Sequence, residues 1–369
     1  MKSPLRVFMA PTFHKFNKYG PCLIRGIRNE GVDVRYRSEW SHTFPLFTMM
    51  RTAGLPEVVH LHWIDIYTIK KTWLRSSIAS LVFLFELLFL KTLGVKLVWT
   101  VHDYVNANQK FADLDIAVRR LTAKLTDSMI VHTEVAKREV TSLYRLSETD
   151  RMRITVIPHG HFIEQYPNIL SQVESREKLG LGKDLFVFGF VGYLRPYKGV
   201  LELIQAFRQI DGRHVCLLIA GMPFDSSFAA AVKEAAGEDS RIQFYLKFIE
   251  DEELQVFLNA ADVLVFPYTR SLTSGSLILA MSFSKAVIAA DHSTIREVLP
   301  PEGGLVYATD GLEGLVGALN EIQTKDVVSM GEKNLKRASA YDWQSIAETT
   351  AKVYCQVTGQ AFEKTVLNV

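Results

Sequence analysis

The chain has 369 residues, 48% hydrophobic and 22% charged, enough apolar material for two ordinary domains; a disulfide-stapled miniature scaffold, a disordered chain and a nucleic-acid-binding tail are excluded. Net charge is +2, but residues 1–165 carry 23 Lys/Arg against 15 Asp/Glu and residues 166–369 carry 19 against 25, so an anionic surface or substrate is expected to meet the first half. The three scattered cysteines, Cys22, Cys216 and Cys355, fit a reducing compartment better than a disulfide framework or a zinc site.

Leu5–Ala10 is too short for the apolar core of a secretory signal and reads as the first buried strand of a cytoplasmic protein. Val58–His62, Val95–Val101, Met129–His132 and Ile154–Ile157 read as further strands of the first half. His60 and His62 share a face by strand alternation, but no third ligand is evident, so packing is expected and no metal is proposed. Ser77–Leu93 is apolar on nearly every face around a single Glu86. Its apolar core, Ile78–Leu90, falls short of the roughly 20 residues that span a bilayer. Two readings stay open: a buried core helix, or a helix partly embedded in a membrane surface, where Lys70, Lys71, Arg75, Lys91 and Lys96 meet anionic headgroups. Asp113-Leu-Asp115 falls in a helical stretch and is expected on a solvated face.

Pro158, Gly160 and Pro167 interrupt regular structure around His159–Asn168, and a second set of strands follows: Phe186–Val191, Val215–Ala220, Ile242–Phe244, Val263–Phe266, Ala286–Ala289 and Leu305–Tyr307. The pattern predicts two successive doubly wound α/β domains, residues 1–165 and 166–340, with ligands beyond the carboxyl ends of the strands. After Phe186–Val191 comes Gly192, then Arg195 and Lys198 ahead of a helix bearing Leu201, Ile204 and Phe207. Two cations and a glycine at a parallel strand end suit a diphosphate, although a solvated basic loop has the same composition. After Val263–Phe266, Thr273-Ser-Gly-Ser276 opens a helix running to about Phe283, placing Ser274, Gly275 and Ser276 at its amino end. That end suits an anion, and a plain helix cap explains the serines equally well.

The order Val156-Ile-Pro-His-Gly160, Gly192…Arg195…Lys198-Gly199, Ile219-Ala-Gly221, Ala261-Asp-Val…Pro267…Leu279-Ala-Met…Ala286-Val-Ile resembles the family 4 glycosyltransferases of the GT-B fold. The resemblance implies two Rossmann-like domains facing across a cleft, acceptor on the first and a nucleotide-diphosphate sugar on the second. It also implies that residues 341–369, with a helix around Trp343–Val357, cross back onto the first domain. It makes Arg195 and Lys198 the pair that neutralises the donor diphosphate, with no cofactor beyond the donor substrate. Members typically carry two glutamates with seven residues between them; the aligned positions here are Ser271 and Leu279, so the contacts to sugar and ribose must be remade, and Ser274, Gly275 and Ser276 are candidates to supply donors instead.

By the same resemblance His102, after Val95–Val101, lies where members place a histidine beside the donor sugar. Asp103 then orients it or, if the reaction inverts, accepts a proton from the acceptor hydroxyl, with Asp65 a secondary base candidate; if configuration is retained, as the resemblance implies by default, the leaving phosphate itself assists proton removal. The loop Pro11–Pro21 lacks the family's usual glycine pair; its aromatic and basic residues suit sugar stacking or simple packing. His159 and His161 are expected to line the cleft. The expected function is transfer of a sugar from a UDP- or GDP-linked donor to a hydroxyl of a lipid-linked or surface glycan, without nucleic acid, by a cytoplasmic protein held peripherally at the inner face of the plasma membrane. The alternative is a catalytically silent nucleotide-sugar-binding scaffold of a polysaccharide assembly complex.

Overall fold

The computed structural model describes residues 4–11, 18–36, 44–106, 108–268, 270, 272, 274–292 and 294–362. The chain divides into two compact units, residues 1–159 with 342–369, and residues 160–341. The first holds β1 (Arg6–Ala10), β2 (Asp33–Arg35), β3 (Val58–Leu61), β4 (Lys96–Thr100), β5 (Ser128–Val131) and β6 (Ile154–Val156), paired in parallel in the order β2-β1-β3-β4-β5-β6. β3 and β5 are buried along their whole length, the mark of a parallel sheet covered on both faces. β2 is the strand the sequence did not announce. Its three residues pair only with β1 at the sheet edge, and one buried valine between two charged residues leaves no periodic signal.

The second unit holds β7 (Phe186–Val191), β8 (Val215–Ala220), β9 (Ile242–Tyr245), β10 (Val263–Phe266), β11 (Ala286–Ala290) and β12 (Gly304–Tyr307), in the parallel order β12-β11-β10-β7-β8-β9. The chain winds away from β7 in one direction and returns to β10 to wind in the other. Neighbouring loops therefore diverge there, leaving a crevice at the carboxyl ends of β7 and β10.

The last helix, Trp343–Thr358, starts at Asp342, whose carboxylate accepts the Ser345 amide at 2.8 Å, and it belongs to the first unit. It packs on the helix Tyr19–Asn29, where a Cβ on Gly26 would lie 2.6 Å from the Ala347 Cβ, so glycine permits the close crossing. The Tyr354 hydroxyl then reaches His60 Nδ1 on β3 at 2.6 Å.

The apolar segment forms the helix Trp73–Thr92, 20 residues long, because Thr72 caps it by accepting the Arg75 amide and starts it five residues upstream of the apolar core. By length and composition it is enough to cross a membrane, which corrects the shorter estimate from sequence. It is nonetheless the crossover between the paired strands β3 and β4, and Ser76, Ser80, Phe83, Glu86, Leu87 and Leu90 are buried. The opposite side is exposed: Trp73 is 59% accessible, Leu74 64%, Leu81 68% and Phe85 55%. About a third of the helix is therefore core, while much of the remainder is open apolar surface.

Candidate active site

In the second unit, β7 stops at Val191 and Gly192 turns the chain at φ +138°, a value that favours glycine. A Cβ on Gly199, at φ +67°, would collide with the Pro267 carbonyl, so the loops after β7 and β10 close on one another. A Cβ on Gly192 would lie 3.6 Å from Lys198 Nζ and 3.8 Å from Ser276 Oγ, which locates ammonium and hydroxyl beside the same bare backbone. Burial, reinforced by Arg195, lowers the pKa of Lys198, and no carboxylate compensates either cation among the described residues. Two cations left without a counter-ion beside a glycine form a seat for an anion. Lys198 Nζ also lies 5.1 Å from the centre of the Tyr268 ring, whose phenol pKa is raised to about 12 by burial, with Ser276 opposing the rise.

Ser274 caps the helix Gly275–Ser282, its hydroxyl oxygen accepting the Leu277 amide at 3.1 Å, so the cap and the anion-site readings coexist: the Ser274 proton remains to be donated. The amides of Gly275 and Ser276, in the first turn, have no acceptor among the described residues. Leu279 is half-buried against the core and offers nothing to a ribose. Ser271 and Thr273 lie outside the described residues, as do residues 12–17 of the aromatic loop.

In the first unit the carboxyl ends of β3, β4 and β5 and the residue that follows β6 by three gather histidines around Tyr19. The Tyr19 ring centre lies 5.1 Å from that of His102, 5.8 Å from His132 and 4.9 Å from His159. His62 Nδ1 and His102 Nε2 are 3.0 Å apart, one donating its proton to the other's lone pair, while Trp63 stacks on His102 with centres 4.2 Å apart. His60 is held by the hydroxyls of Tyr354 and Thr100, the latter at 2.8 Å. Burial keeps the cluster neutral, lowering His60 to about 3, His132 to about 4, and His62 and His102 well below the usual imidazole value. His60 and His62 are thus packed and hydrogen-bonded, and no group of three or more His, Cys, Asp or Glu among the described residues could hold a metal ion. His132 donates from Nδ1 to the Ile157 carbonyl at 2.8 Å, which leaves its buried Nε2 as a lone pair without a partner among the described residues. His159 belongs to this cluster, whereas His161 donates its amide to Tyr341 in the second unit.

Asp103 and Asp65, proposed from sequence as alternative bases, are brought to one arginine. Arg119 Nε holds Asp115 at 3.1 Å, its Nη2 lies 3.7 Å from Asp65, and its Nη1 donates to the Asp103 carbonyl at 2.9 Å. Burial raises Asp103 to about 6 against the opposing pull of Arg119, with Asp65 and Asp115 adding to the rise. Burial also raises Asp65. Asp115 is fully buried, which corrects the expectation of a solvated Asp-x-Asp face: only Asp113 is exposed, because the helix Ala112–Leu125 turns Asp115, Val118 and Arg119 inward together. The Asp115/Arg119 spacing of four was the available signal, and on a charged helix it looks the same whether the pair is solvated or buried.

Comparison with known proteins agrees with this architecture. Residues 186–325 match the family described as "Glycosyl transferases group 1". The chain is 25% identical over 332 residues, 86% of its length and 85% of the relative's, to GDP-mannose:glycolipid 4-beta-D-mannosyltransferase of Xanthomonas campestris pv. campestris. Among solved structures it is similar in fold to sucrose-phosphate synthase from Thermosynechococcus elongatus, with TM-score 0.75 and 19% identity over 96% of this chain and 99% of that one. It is also similar to HepE of Anabaena in complex with UDP and glucose, with TM-score 0.71 and 16% identity over 95% and 100%. Two parallel six-stranded sheets, a last helix folded back within the first unit, and a cation-lined glycine turn where the second sheet reverses give the chain the GT-B fold of these solved structures, and residues 186–325 carry its similarity to the group 1 glycosyl transferases.

Proposed function

We propose that the chain transfers a sugar from a UDP- or GDP-linked donor to a hydroxyl of a lipid-linked glycan, without a metal ion, as a peripheral protein on the cytoplasmic face of the membrane. The donor half rests on Arg195 and Lys198, two cations without carboxylate partners at a switch point that also presents the Ser276 hydroxyl and the Gly275 and Ser276 amides. These groups favour the diphosphate most as it gathers charge on leaving, so they lower the barrier rather than merely hold the donor. The choice of UDP or GDP as candidate bases is supported by the UDP in HepE and the GDP-mannose of the Xanthomonas relative. A lipid-linked acceptor is supported by that relative's glycolipid substrate and by the exposed side of the helix Trp73–Thr92.

An inverting displacement needs a base for the acceptor hydroxyl, and Asp103 fits, with a pKa of about 6 that leaves it mostly ionised near neutrality yet basic enough to take a proton. In that step the acceptor oxygen bonds to the anomeric carbon and gives its proton to Asp103. The bond to the diphosphate oxygen breaks, and the electron pair leaves with the nucleotide. Neutral His102, fixed by His62 and Trp63, is suited to hydrogen-bond a sugar hydroxyl.

The test is a transfer assay with radiolabelled UDP- and GDP-sugars and a bacterial lipid extract as acceptor, paired with thermal unfolding in UDP, GDP, ADP and CMP. Label in the organic phase from one donor, with stabilisation by the matching nucleotide and loss of both in Arg195→Ala/Lys198→Ala, is the expected result. Stabilisation without transfer would favour the silent scaffold. No stabilisation by any nucleotide would sink the donor assignment.

A further inference from the structure

Arg195 is held in place by aromatic rings rather than by a carboxylate. Its guanidinium carbon lies 4.8 Å from the centre of the Phe224 ring and 5.8 Å from that of Tyr193. A guanidinium lying over rings spends its face on them and keeps its N–H edges free for a bidentate anion. Arg241 supplies the contrast within the same unit. It lies over Phe207 at 4.9 Å, but its N–H groups are taken by Asp239 and by the Ile210 and Gly212 carbonyls. Arg195 has no side-chain hydrogen bond or ion pair among the described residues.

Phe224 is fixed without being core. The Leu194 amide donates to the Met222 carbonyl at 2.9 Å, Leu194 and Pro223 form a parallel bridge, and Asp225 caps the helix Ser226–Ala236 by accepting the Phe228 amide at 2.8 Å. The ring between these anchors is 42% exposed, so it contributes little to folding while occupying a set position. An arginine already confined loses less side-chain freedom on binding an anion than one moving in solvent.

We propose that Phe224 is a positioning residue for the nucleotide diphosphate, acting through Arg195 by confining its guanidinium with the N–H edges open. The inference rests on the reading of Arg195 as a diphosphate ligand. Calorimetric titration of the full chain with UDP and GDP tests it in Phe224→Ala, Phe224→Tyr, Phe224→Leu, Arg195→Ala and the Phe224→Ala/Arg195→Ala double variant. Phe224→Ala is expected to weaken the nucleotide that binds by roughly threefold to tenfold with an unchanged melting temperature. Phe224→Tyr should restore the affinity and Phe224→Leu should not, because bulk without a π face cannot hold the cation. In the Arg195→Ala background the removal of Phe224 should cost nothing further. An equal loss in that background, full rescue by leucine, or no loss at all overturns the proposal. Unaltered affinity in Arg195→Ala would instead overturn the diphosphate reading beneath it.

Discussion

Asp103 and Lys198 are displaced by the same cause in opposite directions, since burial penalises whichever form is charged: it lifts the carboxyl to about 6 and lowers the ammonium. For Asp103 the consequences for rate and for stability run against each other. In the proposed role of base Asp103 must be ionised, so transfer should rise with pH and level off above about 6. The folded chain, however, holds the Asp103 proton more tightly than the unfolded one between the ordinary carboxylate range and 6. The associated stabilisation is therefore present at low pH and lost as pH rises through that window. Asp103→Asn should lower transfer about a hundredfold or more, abolish the acid limb of the rate profile and leave nucleotide binding as it was. Near-normal transfer in that variant removes Asp103 from the mechanism and passes the role to Asp65. Arg195 and Lys198 could be read from the sequence because a strand, a glycine and two cations follow one another along the chain. Tyr19 and Arg119 could not, since what surrounds them comes from other strands and helices and only the fold assembles it.

The same contrast holds for whole elements. Strands β7, β8 and β10 match the predicted bounds residue for residue, because runs of four to six apolar residues between turn signals admit few alternatives. The helix Trp73–Thr92 was legible as an apolar segment but not as a two-sided one, because leucine and phenylalanine occupy both its faces; only the sheet beneath decides which of them is core. Glu86 marks the packed side. It is fully buried, and one carboxylate oxygen accepts the amides of Leu46 and Phe47 at 2.9 and 2.8 Å, capping the helix Pro45–Ala53 that has no side-chain cap of its own. Burial raises its pKa to about 7, with those two amides opposing the rise. The carboxyl therefore favours the fold while protonated, and that contribution is lost as pH rises from the ordinary carboxylate range through 7. A glutamine in its place keeps an acceptor for the amides without a charge to bury. Glu86→Gln should match the parent in thermal unfolding near pH 5 and exceed it near pH 8 by on the order of 2 kcal/mol. A gap that does not change with pH would mean that Glu86 stays in one protonation state across the range.

Across the molecule, charge follows the division into units. Residues 1–159 with 342–369 carry 25 Lys/Arg against 17 Asp/Glu, and residues 160–341 carry 17 against 23, so the excess of +8 belongs to the unit that also bears the open apolar helix face. A protein that leaves Leu74, Leu81 and Phe85 in water forgoes about 25 cal/mol for each Å² that burial would have removed. Embedding that side in the interfacial layer of a bilayer recovers it, and the cations at the amino end of the helix, Lys70, Lys71 and Arg75, gain from anionic headgroups, whereas Lys91 is already paired with Asp127 at 3.0 Å. The two contributions respond differently to conditions, because salt screens the charges and leaves the apolar term in place. Co-sedimentation with vesicles should therefore be strong with phosphatidylglycerol, weaker with phosphatidylcholine alone, and reduced but not abolished by about 0.5 M salt. Leu81→Glu/Phe85→Glu replaces two exposed side chains, so it should spare the melting temperature and nucleotide binding while removing vesicle binding at every salt concentration. It should also depress transfer to acceptor presented in vesicles more than transfer to acceptor dispersed in detergent. If the double variant sediments with vesicles as the parent does, the helix face is not the membrane contact, and the charge excess of the first unit must be explained by its acceptor.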